Sequence, residues 1–484
     1  MTIFVNNLKN YKHKLMKNIL LLIITSLILF SCKITSPTDD KDPNDSIPKK
    51  DTVVVDTFRY GGIKYIYDID SVPEINLTIK TTEWNKFLSY FDQNPNNEEQ
   101  ISADIIFTKG KTKFDLKNIG FRLRGNTSRR RAEGEKGESH NPINPDWHHA
   151  SFNVKFNKYI KGQKLAKAEK IILKWFKDDA MYVREIYCYD LFERFGVWTA
   201  PQSSYCRLTI KIAEDEKPAY FGVYQMIEPI EEDYLKNRVG KFADANGNLW
   251  KANWGADFVN TDRSRMGLEN ITLTSTYEPV YDYKSNEANL EAAKTQLVSF
   301  MNDFNSKTGD DFKSWLTTRV DVELLLKTYA VNVICGMWDD YWNNQNNFYF
   351  YFDTAGKFYF IPFDYDNTLG TSLLMTNSGT RDVMNWGTNK RPLIKKIIDI
   401  PEYAVLYKKY LNELIDPKYD YFYYDKSTLR IRKWQNLVKD YISNDTGEDM
   451  TLIDQPASWG NCGFYRLLDT NNNYFKIRAS NIPQ

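Results

Sequence analysis

The prevailing apolar pattern of this chain changes from strand-like to helical near Glu228, and that change limits the folds open to it. From about Thr57 the residues alternate as strands do. INLTI (75–79), ISADIIF (101–107) and FDLKNIGFRLRG (114–125) place apolar side chains on every second position, as a sheet with one buried face requires. SFNVKFNKY (151–159) sets Phe152, Val154 and Phe156 against Asn153, Lys155 and Asn157, and KIILKWF follows it. SYCRLTIKI (204–212) and AYFGVYQMIE (219–228) predict two more strands, joined by the polar turn AEDEKP. Two helices interrupt them, EWNKFLSYF (83–91) and DDAMYVREIYCYDLFERFGV (178–197). The second is capped by Asp178 or Asp179, carries a stripe of Val183, Ile186, Tyr187, Leu191 and Phe195, and stops at Gly196. Beyond Glu228 the spacing is helical over 231–240, 287–305 and 321–338, and again in RPLIKKIID, EYAVLYKKYLNELID and LRIRKWQNLVKDYI. One strand pair, NFYFYFD and GKFYFIPFD around Thr354-Ala355-Gly356, sits inside that helical half. Strands and helices segregated along the chain predict an α+β fold in two lobes, β-rich over 56–230 and helix-rich over 231–484.

The residues before 56 follow other rules. MKNILLLIITSLILFSC has a lysine, then a mostly apolar run too short to span a bilayer, which is the layout of a signal peptide. Residues 1–31 are expected to be that signal, with Met16 the true start. A small residue directly before a cysteine is the lipobox pattern of bacterial lipoproteins, so Cys32 is expected to carry lipid. Residues 32–55, rich in Asp, Pro, Ser and Lys, read as a tether. The expected place is therefore a bacterial membrane, periplasmic or at the cell surface, through the anchor on Cys32; an uncleaved membrane anchor is the alternative.

Composition excludes several chemistries. A net charge of +1 gives no field for nucleic acid. The chain has 4 histidines, and His13 lies in the leader while His140, His148 and His149 share a polar insertion. That supply suits neither a Ser/His/Asp triad nor a His-rich metal site. Cys188, Cys206, Cys335 and Cys462 are too far apart for a CxxC motif and read as buried thiols, with one disulfide allowed by export. Aromatic residues at 15% serve core packing, or stacking on a glycan or peptide. Any chemistry must run on Asp, Asn, Glu, Lys and Arg.

FIPFDYDNTLG (360–370) concentrates such residues. Hydrophobic strand followed by D-x-D-x-T is the pattern of haloacid-dehalogenase phosphatases, where the first Asp attacks phosphorus. Pro362 suits an edge strand rather than the central parallel strand that chemistry needs. Upstream, MWDDYWNNQNNFYFYFD (337–353) supplies Asp339, Asp340 and a run of asparagines. Helix, Asp, loop Asn, hairpin, Asp is the order used by protein kinases. Carboxylates and amides are the hard oxygen donors that Mg²⁺ prefers. A polar loop whose asparagines cap turns has the same composition.

Taken together, FRLRGNTSRR (121–130), SFNVKFNKY, AMYVREIYCYDLFERFGVWTAPQSSYCRLTI (180–210), AYFGVYQMIEPIEEDYLKNR (219–238), NLWKANWGADF (248–258) and the 338–370 stretch resemble the CotH kinase family over roughly residues 60 to 480. The resemblance implies an atypical protein-kinase-like fold, ATP with Mg²⁺ or Mn²⁺, and a protein Ser/Thr hydroxyl as acceptor. It implies Asp339 as catalytic base, with Asp340 the local alternative, and Asn347, Asp364 and Asp366 as metal ligands. Arg124, Asn126 and Ser128 would meet phosphates, as would Lys155 with Glu185 as its ion-pair partner. Glu228 would lie between the lobes beside the adenine. The chain has Phe363 where the family commonly has Trp. A kinase-like module without activity, binding glycan or protein, is the competing class.

Overall fold

The period-two segments close on themselves. β1 (Glu74–Ile79), β2 (Ile101–Lys109), β3 (Thr112–Arg124), β4 (Ser151–Lys155), β5 (Lys170–Lys174), β6 (Ser203–Ile212) and β7 (Ala219–Ile227) form a closed barrel in the order β1-β2-β3-β4-β5-β7-β6. Neighbours run antiparallel except β1 and β6, which pair parallel and shut the barrel. Closure leaves no exposed edge in this sheet. These positions come from a computed structural model that describes residues 63–126, 128–372, 375–388, 390–442 and 463–483. The leader, Cys32, the tether, Thr127 and Cys462 lie outside those residues. The described residues all fall within one compact unit spanning 54–484.

Alternation predicted the barrel interior well. Ile101, Ala103, Ile105 and Phe107 of β2 point inward, as do Phe152 and Val154 of β4. Before β1 lies the short α1 (Lys64–Tyr67); after it α2 (Thr81–Gln93) lays Trp84, Phe87 and Leu88 on the barrel, with Phe87 stacked 5.5 Å from Phe121. The insertion between β3 and β4 is pinned to this layer. His140 Nδ1 lies 2.7 Å from Glu133 Oε2, and its Nε2 lies 2.8 Å from Asp215 Oδ1 in the β6–β7 turn. Trp84 Nε1 also donates to Glu133. A carboxylate at each ring nitrogen favours the imidazolium, the form in which both nitrogens donate.

α3 (Arg184–Arg194) begins six residues later than the sequence suggests. Tyr182 stands at φ +57°, a left-handed conformation that breaks helical backbone before the first turn. Asp179 still serves the helix start from a distance. Its carboxylate accepts from the amides of Met181, Val183 and Arg184 at 3.1, 2.8 and 2.8 Å.

The helical half contains more sheet than its periodicity announces. After α4 (Glu232–Lys236) come β8 (Asn248–Ala252), β9 (Met266–Gly267), β10 (Asn270–Ile271), β11 (Thr276–Tyr277) and β12 (Tyr281–Tyr283). Then follow α5 (Leu290–Ser306), α6 (Gly309–Arg319), α7 (Val322–Ile334), α8 (Tyr341–Asn344), β13 (Phe348–Phe352) and β14 (Phe358–Pro362). The expected hairpin β13–β14 is part of a 5-stranded sheet, order β14-β13-β8-β12-β9. Its row Phe360, Phe350, Trp250, Tyr283 is buried, and Phe300 of α5 stacks on Phe358 of that same face at 4.9 Å. The opposite face carries Tyr349, Lys251 and Asp282. β14 is the edge strand, a position that tolerates Pro362. The remaining helices, α9 (Pro392–Ile398), α10 (Pro401–Ile415), α11 (Tyr424–Val438) and α12 (Tyr474–Ser480), complete the second core. Among the described residues no helix is long and apolar enough to cross a membrane. Cys188, Cys206 and Cys335 are buried free thiols.

Candidate functional site

The end of β5, the start of α3 and the distant turn after β14 meet at one ammonium group. β5 ends at Lys174, whose Nζ lies 2.8 Å from Glu185 Oε2 on α3 and 3.0 Å from Asp366 Oδ2, and also bonds Asp364 Oδ1. The expected partner of Glu185 was Lys155, and that pairing is corrected here. Strand register puts Lys155 opposite Lys170, at the far end of β5. Lys170 and Lys174 are four residue steps apart along the strand, roughly 13 Å. Lys155 instead lines a cavity of about 250 Å³ with Lys170, Glu228, Glu231, Tyr234 and Lys284.

Glu185 organises the turn after β14. Its Oε1 accepts from Tyr189 Oη and from the Tyr365 amide, both at 3.0 Å. Tyr189 Oη in turn accepts the Asp364 amide at 3.0 Å. These bonds hold Asp364 at φ +63°, a conformation that costs a residue with a Cβ and so must be imposed. Tyr365 Oη donates to Asn332 Oδ1 at 2.8 Å, and Asn332 Nδ2 donates to Asp340 Oδ2 at 2.6 Å. A chain of hydrogen bonds therefore runs from Lys174 to the loop after α7.

That loop separates its two aspartates by role. Asp340 is buried and caps α8, accepting the Asn343 amide at 2.7 Å. Burial pushes its carboxyl up to about 7. Asp340 is 3% exposed, so its contacts lie inside the fold. Asp339 is half-buried. It accepts from Asn344 Nδ2 at 2.6 Å and Asn347 Nδ2 at 2.9 Å. Burial, reinforced by the charges of Asp364 and Asp366, raises it to about 6. Asn347 spends its Nδ2 on Asp339, so its Oδ1 is the atom available to a cation.

One ammonium facing three carboxylates leaves the site short of positive charge. Burial alone would lower Lys174, but Asp364, Asp366 and Glu185 hold it well above the ordinary lysine range. Burial raises Glu185 to about 7 and lifts Asp366 as well. Asp364 stays low because Lys174, with help from Arg124 and Lys251, outweighs the burial that would raise it. Asn367 donates to Asp366 Oδ1 at 2.6 Å while its own Oδ1 is buried without a hydrogen-bond partner. Surplus carboxylate and an orphaned amide oxygen fit a hard divalent cation such as Mg²⁺ or Mn²⁺. Among the described residues no three His, Cys, Asp or Glu side chains gather as a metal cage.

The remaining expected residues divide. Arg124, at the end of β3, sits with its guanidinium 5.6 Å from the Phe363 ring, beside Asp364. Asn126 is exposed and Ser128 half-buried in the turn that follows, closed by Arg129 N to Asn126 O at 3.2 Å. Glu228 does not offer its carboxylate to a ligand. Arg238 takes both oxygens, at 2.9 and 2.6 Å, and the Gln202 amide adds a bond at 3.0 Å. The residue borders the cavity as a buried ion pair.

Sequence reasoning passed over Lys174 because KIILK is buried on both faces and lacks alternation, whereas Lys155 sits in a strictly alternating strand. The available signal was a lysine ending an apolar strand ahead of a helix that carries a glutamate. In comparison with known families, residues 121–461 match the model described as CotH kinase protein. The match covers well over half of the 484 residues and includes every site residue named above. It starts within β3, so β1, α2 and β2 precede it. No curated protein matches the chain.

Proposed function

The chain belongs to the CotH kinase family, and from that premise we propose that it transfers the γ-phosphate of ATP to a Ser or Thr hydroxyl of a protein, with Mg²⁺ or Mn²⁺ as cofactor. The observation that carries the reading is the convergence of Lys174, Glu185, Asp364 and Asp366 at one point. In this reading the barrel and the helical half are the two lobes of a kinase-like fold. The cavity beside residues 228–231 receives the base, and Arg124 meets phosphate oxygens. Asp364, Asp366 and Asn347 Oδ1 would hold the divalent ion, which when bound neutralises charge on the phosphate oxygens. Lys174 orients the phosphates while Glu185 orients Lys174. Asp339 positions the acceptor hydroxyl and takes its proton; the acceptor oxygen bonds to the γ-phosphorus and ADP leaves with the displaced oxygen. The lipid on Cys32 and a place outside the cytoplasm belong to the same proposal.

The phosphatase reading is weaker. β14 is an antiparallel edge strand, and Asp364 is bonded to an ammonium instead of being presented as a nucleophile. The test is incorporation of label from γ-labelled ATP with Mn²⁺ or Mg²⁺. The purified protein should label itself or an acceptor, and Asp364→Ala should reduce this to background. Neither incorporation nor nucleotide binding by the wild type would discard the kinase reading and leave a kinase-like binding module.

A further inference from the structure

The polar face of the 5-stranded sheet carries a cation that no role above uses. Register sets Ile361, Tyr349, Lys251 and Asp282 side by side across β14, β13, β8 and β12. Residues of one such row share a face. Two residues past Ile361 stands Phe363, whose ring meets Tyr349 edge-on at 5.1 Å, and Asp364 follows directly. Arg124 covers Phe363 from the barrel side at 5.6 Å. Lys251 thus stands on the same sheet face as Tyr349, one strand away from it, and Tyr349 packs on the residue before Asp364.

Lys251 is loosely committed. Its row neighbour Asp282 is already taken by Lys284 and by the Glu269 amide at 2.9 Å. Its ion pair is with Glu278 at 3.5 Å, and that carboxylate is 38% exposed. A pair of that length and exposure contributes little to stability. Lys174, by contrast, spends its charge on three carboxylates within the protein.

We propose that Lys251 binds the terminal phosphate of the nucleotide, from the sheet side of the site. This rests on the kinase reading above. A triphosphate entering an anionic site needs positive charge beyond the divalent ions, and Lys251 adds to what Lys174 and Arg124 give. A lysine head group on a strand is a compact charge with three donors and suits a non-bridging phosphate oxygen.

The experiment compares ATP, ADP and AMP, each with Mn²⁺, by titration calorimetry on the full chain, for wild type, Lys251→Ala and Lys251→Arg. Lys251→Ala should weaken ATP about tenfold or more, the loss of one charged hydrogen bond. It should leave AMP unchanged and the ligand-free melting temperature close to wild type, and Lys251→Arg should recover most of the ATP affinity. ATP binding unchanged in Lys251→Ala, or ATP and AMP weakened alike, overturns the assignment while the kinase reading stands. A wild type that binds no nucleotide overturns both.

Discussion

At the scale of single residues, the site turns on which lysine holds Glu185. Lys174 is buried among three carboxylates, whereas Lys155 borders a cavity at the other end of β5. Removing one partner of a buried ion pair typically costs about 3–5 kcal/mol. Lys174→Met should therefore lower stability by that order and abolish phosphate transfer, and Mn²⁺ should restore part of the lost stability by neutralising the stranded carboxylates. Lys155→Ala should leave transfer largely intact. Melting curves with and without Mn²⁺, together with a labelling assay on both variants, check the pair; equal loss from the two substitutions would count against the arrangement. Asp364, Asp366, Asn347 and Asp339 were legible as residues because their chemistry is local, two carboxylates and a run of amides in one loop. Lys174 was not, because its role depends on strand register and burial that alternation alone does not reveal. Glu228 misled in the other direction. The residue was expected beside the adenine, but Arg238, ten residues on, takes both carboxylate oxygens.

At the scale of elements, the strands of the barrel were readable and the short strands β8, β9 and β12 were not. A strand of two to five residues holds too few positions to show a period. α3 was placed too early because Asp179 lies where a cap would, yet Tyr182 turns the backbone left-handed before the helix begins. The insertion between β3 and β4 read as polar, and its tie through His140 was invisible because Asp215 comes from a separate segment. Burial alone would lower His140, but the two carboxylates outweigh it and raise its pKa above the ordinary histidine value. A raised folded-state pKa contributes stability that is present in full below the unfolded value, about 6.5, and fades as pH rises through the folded value. The stability advantage of wild type over His140→Gln should accordingly be largest at mildly acidic pH and shrink in alkaline buffer. Thermal melts across pH, with proteolysis of residues 126–150 as a local probe, measure it; an advantage that grows with pH would contradict the tie.

At the scale of the whole molecule, the order of β-rich then helix-rich sequence announced a mixed α+β fold, and the barrel followed by a helix-backed sheet is that fold. What order could not announce is closure. The parallel pairing of β1 with β6 joins residues more than a hundred positions apart, and no local pattern encodes it. The expected leader and tether set a separate question of place. If Cys32 carries lipid, wild type should fractionate with membranes and Cys32→Ala should move to the soluble fraction; unchanged partitioning of the variant would argue for an uncleaved anchor. The central claim is that Asp364 and Asp366 hold a divalent ion that in turn holds a nucleotide. Its most direct test is the melting transition of the full chain with Mn²⁺ alone, ATP alone and both together, for wild type and Asp364→Asn. With both ligands at about 100 times the Kd, wild type should gain about 2.7 kcal/mol, more than either ligand gives alone, and Asp364→Asn should lose that joint gain. No joint gain in wild type, or the same gain in Asp364→Asn, would contradict it.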